Sequence, residues 1–154
     1  MKRSTGDETG LPVQPLATPC LCHALRQASR TVSRLYDEEL RGHGLRTTQY
    51  SLLRVLARTG PIRQGELSAL SALDETTLTR NLRPLVHAGW IGVQSGEDRR
   101  ERRVTITEAG NAKLAETLPA WERAQIRMRA LLPKGAWESL MTLLPQVAQA
   151  SSTV

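Results

Sequence analysis

The feature that most constrains this chain is a run of about forty residues, from 64 to 103. It contains two short amphipathic segments, separated by a tight turn that ends at Asp74. Asp74 is suited to be a helix N-cap, because its carboxylate can accept hydrogen bonds from the free amides of the first turn. Gly89 is suited to end the same helix, since glycine adopts the left-handed conformation without strain. These signals predict two consecutive helices, at about 64–71 and 75–88.

The second of these helices has two different faces. Its apolar residues recur at the spacing of one helical stripe, which predicts a buried face made of Leu78, Leu82, Leu85 and Val86. The opposite face is polar and carries Thr76, Thr79, Arg80 and Arg83. Two alternating segments follow on either side of an arginine-rich turn, at 90–93 and 103–106, which is the pattern of a β-hairpin. Helix, turn, helix and hairpin together predict a winged helix-turn-helix, a structure that binds DNA.

The polar face supplies side chains suited to double-stranded DNA. Threonine hydroxyls can donate to phosphates or touch base edges, and arginine can make a bidentate contact with guanine. We expect Arg80 to contact bases, Arg83 to clamp a phosphate, and three threonines to contribute, namely Thr76, Thr77 and Thr79. In the hairpin, Asp98 and Arg102 are expected to pair and hold the turn in shape. The alternative is that the hairpin arginines form only a solvated face.

The segments that flank this unit are predicted to be helical. Residues 1–18 are polar and contain two prolines and two glycines, which is typical of a flexible arm. Pro19 is suited to begin the first helix, and Thr107 to cap the fifth. Three apolar stripes follow helical spacing. The first helix carries Leu21, Leu25, Ala28, Val32 and Leu35; the fifth carries Leu114, Leu118, Trp121, Met128 and Leu132, and this stripe is interrupted by Pro119. The last helix carries Trp137, Leu140, Met141, Leu144 and Ala148, and Pro145 is expected to kink it or end it early.

These stripes are too long to be covered by a unit of forty residues, so we expect a second copy of the chain to cover them, with Trp121 and Trp137 in the dimer core.

The predicted fold class is mainly α with a small β-hairpin wing, in the order α1-α2-(β1)-α3-α4-β2-wing-β3-α5-α6. Residues 19–46 and 107–150 would form the dimerisation region, and residues 47–106 the DNA-binding lobe. A two-fold dimer would present its recognition helices about 34–36 Å apart, which suits a palindromic site.

Composition narrows the class of function. The formal net charge of +6 makes an anionic partner plausible, although most of the excess lies outside the helix-turn-helix. No apolar run is long enough to span a membrane, and no signal segment is visible, so a cytoplasmic protein is expected. No nucleotide-binding loop, metalloprotease motif or catalytic triad is present, so we expect neither an enzyme nor a cofactor. A winged helix that contacts protein instead of DNA stays open as an alternative.

Four motifs together resemble the MarR family of transcriptional regulators: Asp74–Leu82, Gly89-Trp90-Ile91, Asp98-Arg99-Arg100-Glu101-Arg102 and Ile106–Gly110. The resemblance runs from about Cys20 to the C-terminus. It implies a homodimer that usually represses transcription and is released by a small, often phenolic ligand or by cysteine oxidation. It also implies that Arg100 enters the minor groove, and that a ligand pocket lies where Arg26, Tyr50 and Arg54 could line it. Arg99 and Arg102 are further candidates for contact with DNA. Pro84, inside the recognition helix, departs from the family pattern and predicts a bend.

Cys22 lies where the organic-hydroperoxide sensors of the MarR family have their reactive cysteine, and Tyr36 matches one tyrosine that binds this thiol. Tyr36 is about 21 Å further along the same helix, so it could reach only the Cys22 of a partner chain. Thr47 replaces the second expected tyrosine. Two alternatives remain open for Cys22. It could be a buried structural residue, or it could bind a metal together with Cys20 and His23.

Overall fold

The structure is a computed structural model, and it describes residues 20–95 and 102–151. The order of elements is as predicted, including the short first strand, and the mainly helical fold class is confirmed. The predicted flexible arm, the start at Pro19, and Asp98, Arg99 and Arg100 lie outside the described residues. The elements are α1 (Leu21–Leu40), a 3-10 turn (Arg41–His43), α2 (Thr47–Thr59), β1 (Ile62–Arg63), α3 (Gln64–Ser71), α4 (Glu75–His87), β2 (Ile91–Ser95), β3 (Arg102–Ile106), α5 (Glu108–Leu131) and α6 (Ala136–Ser151).

A three-stranded antiparallel sheet supports the hairpin. Its strand order is β1-β3-β2, so the short β1 pairs with the far side of β3, where Ile62 lies opposite Val104. On the other side, Val93 of β2 is also opposite Val104. Trp90 was predicted in the strand but precedes it, because its amide and carbonyl bond to Leu85 and Thr107 instead. The sheet therefore fixes the base of the hairpin against both helices of the helix-turn-helix.

The core lies between α2, α3, α4 and the sheet. It consists mainly of leucines from these helices, and the largest fully buried ones are Leu52, Leu53, Leu56, Leu67, Leu78 and Leu85. Three of the four residues in the predicted stripe of α4 are buried, namely Leu78, Leu82 and Leu85. Val86 was predicted to be buried and is 44% exposed. Its position adjoins the stripe on the side of the wing, where no element covers it completely.

The predicted caps of α4 and α5 are confirmed. The Asp74 carboxylate accepts from the Thr77 amide at 2.8 Å, and the Thr107 hydroxyl accepts from the Gly110 amide at 3.0 Å. After α4, Gly89 has a φ of 72° and its amide bonds to the Val86 carbonyl. Because this left-handed conformation strains other residues, glycine at this position ends the helix at low cost.

Helix α5 differs from its prediction in two ways. It continues through Pro119 without interruption from Glu108 to Leu131. Its buried face is made of small residues, Gly110, Thr117, Ala120 and Ala124, whereas Leu118 of the predicted stripe is exposed. Small side chains allow the backbone to approach its neighbours closely. At Gly110 a Cβ atom would lie only 2.0 Å from the Trp90 carbonyl oxygen, so α5 packs directly on the turn before β2.

Helix α1 packs along α5, and exposed ion pairs connect the two helices. Arg123 lies 3.4 Å from Glu39, and Arg127 lies 3.2 Å from Glu38. The last part of α1 contributes Tyr36 and Leu40 to the buried residues, but Cys20, Leu21, Cys22, His23 and Ala24 are all exposed. The N-terminal part of α1 therefore extends beyond the core of its own chain.

Helix α6 leaves its apolar side uncovered in the single chain. Leu140, Met141, Leu143 and Leu144 are between 38% and 54% exposed. The helix continues past Pro145 to Ser151, so the predicted early end does not occur. The predicted limits of a dimerisation region and a DNA-binding lobe remain predictions. In the described part of the chain, no helix is both long and apolar enough to cross a membrane.

Candidate nucleic-acid interface

The exposed face of α4 brings together four of the predicted contact residues. Thr76, Thr79, Arg80 and Arg83 are all exposed and, with Glu75, line a depression of about 450 Å³. Within the described residues, neither arginine has a carboxylate within salt-bridge distance. Two guanidinium groups that meet no carboxylate of the described residues, together with the hydroxyls on the same helix face, form a surface that favours an anionic partner.

Thr77 belongs to the cap of α4 and not to this exposed face. Its amide donates to one oxygen of the Asp74 carboxylate at 2.8 Å, and its hydroxyl donates to the other at 2.6 Å. These hydrogen bonds favour the charged carboxylate, the hydroxyl bond most, and lower the pKa of Asp74. The side chain of Thr77 is half-buried and its proton is already used. The structure thus gives Thr77 a role in orienting the helix rather than in contacting a ligand.

Gln64 adds a residue that the sequence did not suggest. It is the first residue of α3, and its side-chain nitrogen donates to the Thr79 hydroxyl oxygen at 3.2 Å. The two residues are fifteen positions apart and lie on different helices. A lone glutamine at the start of a helix carries no sequence signal for such a contact. Only the packing of α3 across α4 makes it visible.

Pro84 does not break the recognition helix. The helix runs to His87, and the Ala88 amide bonds to the Pro84 carbonyl at 3.0 Å. Pro84 itself is exposed, so its ring meets no neighbouring element. The missing amide leaves the Arg80 carbonyl without its usual helical donor. This carbonyl lies on the same turn as the exposed arginines, where water can satisfy it.

The described part of the wing is its base. Arg102 lies opposite Ser95 in the β-ladder, and Arg103 lies opposite Gln94. Arg102 also lines a second depression, of about 480 Å³, between α4 and the hairpin. Thr79 and Arg83 line both depressions, so they connect the exposed face of α4 to the base of the wing. The predicted pairing of Asp98 with Arg102 lies outside the described residues.

Comparison with known proteins identifies the family. The model of the MarR family matches residues 45–101. A Bacillus subtilis protein named as the uncharacterized HTH-type transcriptional regulator YwoH is 32% identical over 96 residues, which are 62% of this chain and 70% of that protein. The chain belongs to the MarR family. It is a transcriptional regulator with the winged helix-turn-helix fold of that family.

Two solved structures of related regulators agree with this assignment. The M. tuberculosis transcriptional regulator MosR, crystallised in complex with DNA, is 32% identical, with a TM-score of 0.77 over 88% of this chain and 98% of MosR. A probable transcriptional regulator from Pseudomonas aeruginosa is 30% identical, with a TM-score of 0.73 over 82% of this chain and 96% of that one. The similarity includes the terminal helices as well as the winged helix.

Cys22 and Tyr36, the residues predicted for redox sensing, do not lie close together within a single chain. Cys20 and Cys22 are both free and exposed, so the expectation of a buried Cys22 is wrong for the single chain. It fails because the helix extends beyond the core at this end. Tyr36 is buried, and burial raises its pKa. Whether Tyr36 meets the Cys22 of a partner stays a prediction.

Among the described residues, no group of three or more histidine, cysteine or acidic side chains could hold a metal ion, so a site using Cys20, Cys22 and His23 has no geometric support.

Two of the three residues suggested for the family's ligand pocket lie together. Tyr50 is 1% exposed, and its ring lies 6.1 Å from that of Trp121, on whose indole the Arg54 guanidinium stacks at 4.3 Å. Burial raises the pKa of Tyr50 more than the nearby Arg54 lowers it. Arg26 is exposed on α1 and takes no part in this cluster. Trp121, expected in the dimer core, therefore packs against the core of its own chain.

Proposed function

We propose that this chain is a homodimeric repressor that binds a palindromic DNA operator through α4 and the wing. The observation that carries the proposal is the exposed α4 face, with two arginines that lack counter-charges in the described chain and two exposed threonines. Its relationship to MosR, which has been crystallised with DNA, supports the same partner. In this proposal the chain acts in the cytoplasm and has no enzymatic activity.

Thr76, Thr79, Arg80 and Arg83 would enter the major groove. An α-helix fits that groove, whose base edges carry a different donor and acceptor pattern for each base pair. Arg80 is one turn closer to the start of α4 than Arg83, so we assign base contact to Arg80 and phosphate contact to Arg83. Arg102, with Arg99 and Arg100 as the family resemblance implies, would follow the adjacent backbone and minor groove. Thr77 would act only through the cap.

Dimerisation would occur through the terminal helices. The apolar residues on the exposed side of α6, and the exposed Leu21 and Ile126 of α1 and α5, are costly to leave in water. A second copy that covers it would also set the spacing of the two recognition helices at about one turn of duplex. This pairing would explain why α6 leaves its apolar side exposed although the core of the chain is already closed.

Release by a small, aromatic effector is a further part of the proposal, and it rests on the family. Tyr50 and Arg54 are positioned at the junction of α2 and α5, which connects the lobe to the terminal helices. An aromatic ligand there would have to displace Trp121 from Tyr50 or stack beside it. The cavity at Arg54 is small, at about 230 Å³, and its other lining residues are Ser51, Val55 and Arg58.

The test is selection of bound duplexes from a random DNA library at physiological salt, followed by affinity measurements on the enriched duplex. Enrichment of an inverted repeat with half-sites one turn apart would support the proposal. Arg80→Ala should lower affinity for the enriched duplex by roughly tenfold or more and relax one base preference. Arg83→Ala should weaken all duplexes alike and reduce the dependence of affinity on salt.

A matched control is Arg58→Ala, because Arg58 is an exposed helical arginine at the end of α2. Its affinity should remain close to that of the wild type. If no sequence is enriched and binding is only salt-sensitive, the chain does not recognise an operator. In that case a protein partner would be the better explanation of the winged helix.

A further inference from the structure

A hydrogen bond joins the side chains of Gln64 and Thr79. The side-chain nitrogen of Gln64 donates to the Thr79 oxygen at 3.2 Å and so connects the first residue of α3 to the exposed face of α4. A threonine hydroxyl has one proton and two acceptor positions. With one acceptor position taken by Gln64, the proton is left over, and no described hydrogen bond uses it. Thr79 therefore presents a donor from a side chain that is held in place.

Among the described residues, the other threonines that lie beyond the first turn of a helix behave differently. Their hydroxyls donate to the carbonyl four residues earlier, which is the usual local bond of threonine in a helix, at distances of 2.8 to 3.1 Å for Thr31, Thr59, Thr117 and Thr142. For Thr79 the corresponding acceptor would be the Glu75 carbonyl, and the described bonds include none to it. The contact with Gln64 is the local difference that accounts for this.

Position makes this difference relevant to recognition. Thr79 lines the depression on the α4 face and also the one between α4 and the wing, and Gln64 lines the second beside it. Gln64 is half-buried, whereas Thr79 is exposed. Gln64 is thus the inner partner of the pair, and the unused hydroxyl proton belongs to Thr79, the outer partner. This arrangement places a fixed donor at the centre of the surface proposed to meet DNA.

We infer that Gln64 is a specificity-determining positioning residue, which orients the Thr79 hydroxyl toward an acceptor on a base edge. The inference rests on the proposed DNA-binding function. In the major groove, such an acceptor is N7 or O6 of guanine, N7 of adenine, or O4 of thymine. Without Gln64, the Thr79 hydroxyl would turn back to the Glu75 carbonyl, as the other helical threonines do. One base preference in each half-site would then be lost.

The experiment repeats the duplex selection with Gln64→Leu, which keeps the approximate size of the side chain and removes its amide. The matched control is Gln27→Leu, an exposed glutamine on α1. We expect Gln64→Leu to enrich the same inverted repeat with one position per half-site degenerate, and discrimination at that position to fall about tenfold. Thr79→Val should make the same position degenerate, whereas Gln27→Leu should leave the preference intact.

A double-mutant cycle on the selected duplex separates positioning from a general loss of stability. Gln64→Leu combined with Thr79→Val should lose no more affinity than the larger single loss, because the two side chains act as one unit. For Gln64→Leu combined with Thr76→Val, the fold-loss of affinity should equal the product of the fold-losses of the two single variants. Thr76 is an exposed threonine of the same face with no described hydrogen bond to Gln64.

The outcomes distinguish this inference from the proposed function. If the wild type enriches an inverted repeat and Gln64→Leu enriches it with unchanged preferences, the inference is overturned and the proposed function stands. Additive losses in the Gln64 and Thr79 pair would also overturn it. If the wild type enriches no sequence, both fail together.

Discussion

The winged-helix lobe and the terminal helices use the same residue types in opposite ways. In the lobe, the leucines of α2 and α4 are buried almost completely within one chain. In α6, four apolar residues on neighbouring turns remain exposed, namely Leu140, Met141, Leu143 and Leu144. Helix α1 likewise begins with an exposed Leu21. Because burying each large aliphatic side chain is worth about 1.5–3 kcal/mol, the exposed set represents a large unused stabilisation. The core around the lobe is closed within one chain, with Leu40 of α1 and Ala120 of α5 contributing to it, whereas the apolar side of α6 stays exposed unless a partner covers it.

The two regions also differ in how they are connected. The lobe has caps, a left-handed glycine and a three-stranded sheet, which determine the direction of each element locally. Helix α1 is connected to α5 mainly by packing of small residues and by exposed ion pairs such as Arg127 with Glu38. Exposed ion pairs contribute little free energy. The stability of the terminal region should therefore depend on association more than that of the lobe does.

The largest effect should come from the core of the lobe. Leu67 and Leu70 are in the same short helix α3, but Leu67 is fully buried and Leu70 is 58% exposed. Leu67→Ala should lower the free energy of unfolding by about 2–5 kcal/mol, because it leaves a cavity among the other leucines. Leu70→Ala should change it by less than about 0.5 kcal/mol. Denaturant unfolding at one protein concentration measures both, and similar losses would contradict a core closed within one chain.

A smaller effect is expected from the terminal helices, and it should depend on protein concentration. Leu144→Glu introduces a charge into the apolar side of α6, which is covered only if a second copy packs there. We expect its dimer dissociation constant to rise at least tenfold, or about 1.4 kcal/mol, measured by sedimentation. Leu70→Glu, an exposed leucine in the lobe, is the control. An unchanged mass distribution for Leu144→Glu would mean that α6 is not part of the dimer.

The smallest effect should come from the cap of the recognition helix, and it should vary with pH. Since hydrogen bonds from Thr77 lower the pKa of Asp74, its carboxylate stabilises the fold above the ordinary value of 3.8 and loses this effect as the pH falls below it. Asp74→Ala should melt at a lower temperature than the wild type at pH 7. The difference should narrow below pH 4. Glu75→Ala, beside it, should show a smaller difference at pH 7.

Most of the lobe could be predicted because its signals are local. The caps of Asp74 and Thr107 and the left-handed Gly89 are read from single residues, and each has its predicted role. Predictions based on periodicity failed where the partner surface decided the outcome. Val86 fits the apolar stripe but faces the wing, and Leu118 fits a heptad although α5 packs through alanines. Periodicity gives the direction of a side chain, but not what lies opposite.

The candidate site was predicted in the same uneven way. The exposed threonines and arginines of α4 follow from one helix and its cap, so spacing alone identified them. The contact of Gln64 with Thr79 depends on how two helices cross, and no pattern within either helix encodes it. The contacts of Trp121 with Tyr50 and Arg54 were missed for the same reason, because these neighbours are on another helix.

The three tryptophans have a spectroscopic consequence, because each of them is in a different part of the molecule. Trp90 is at the base of the wing beside Lys113, Trp121 joins α2 to α5 under Arg54, and Trp137 is at the start of α6 beside Arg129. All three are half-buried, and indole emission shifts to the red as water reaches the ring. Variants that keep one tryptophan each would therefore give separate fluorescence signals. On dilution Trp137 should report the loss of the dimer, while Trp90 and Trp121 would change only when the lobe itself unfolds.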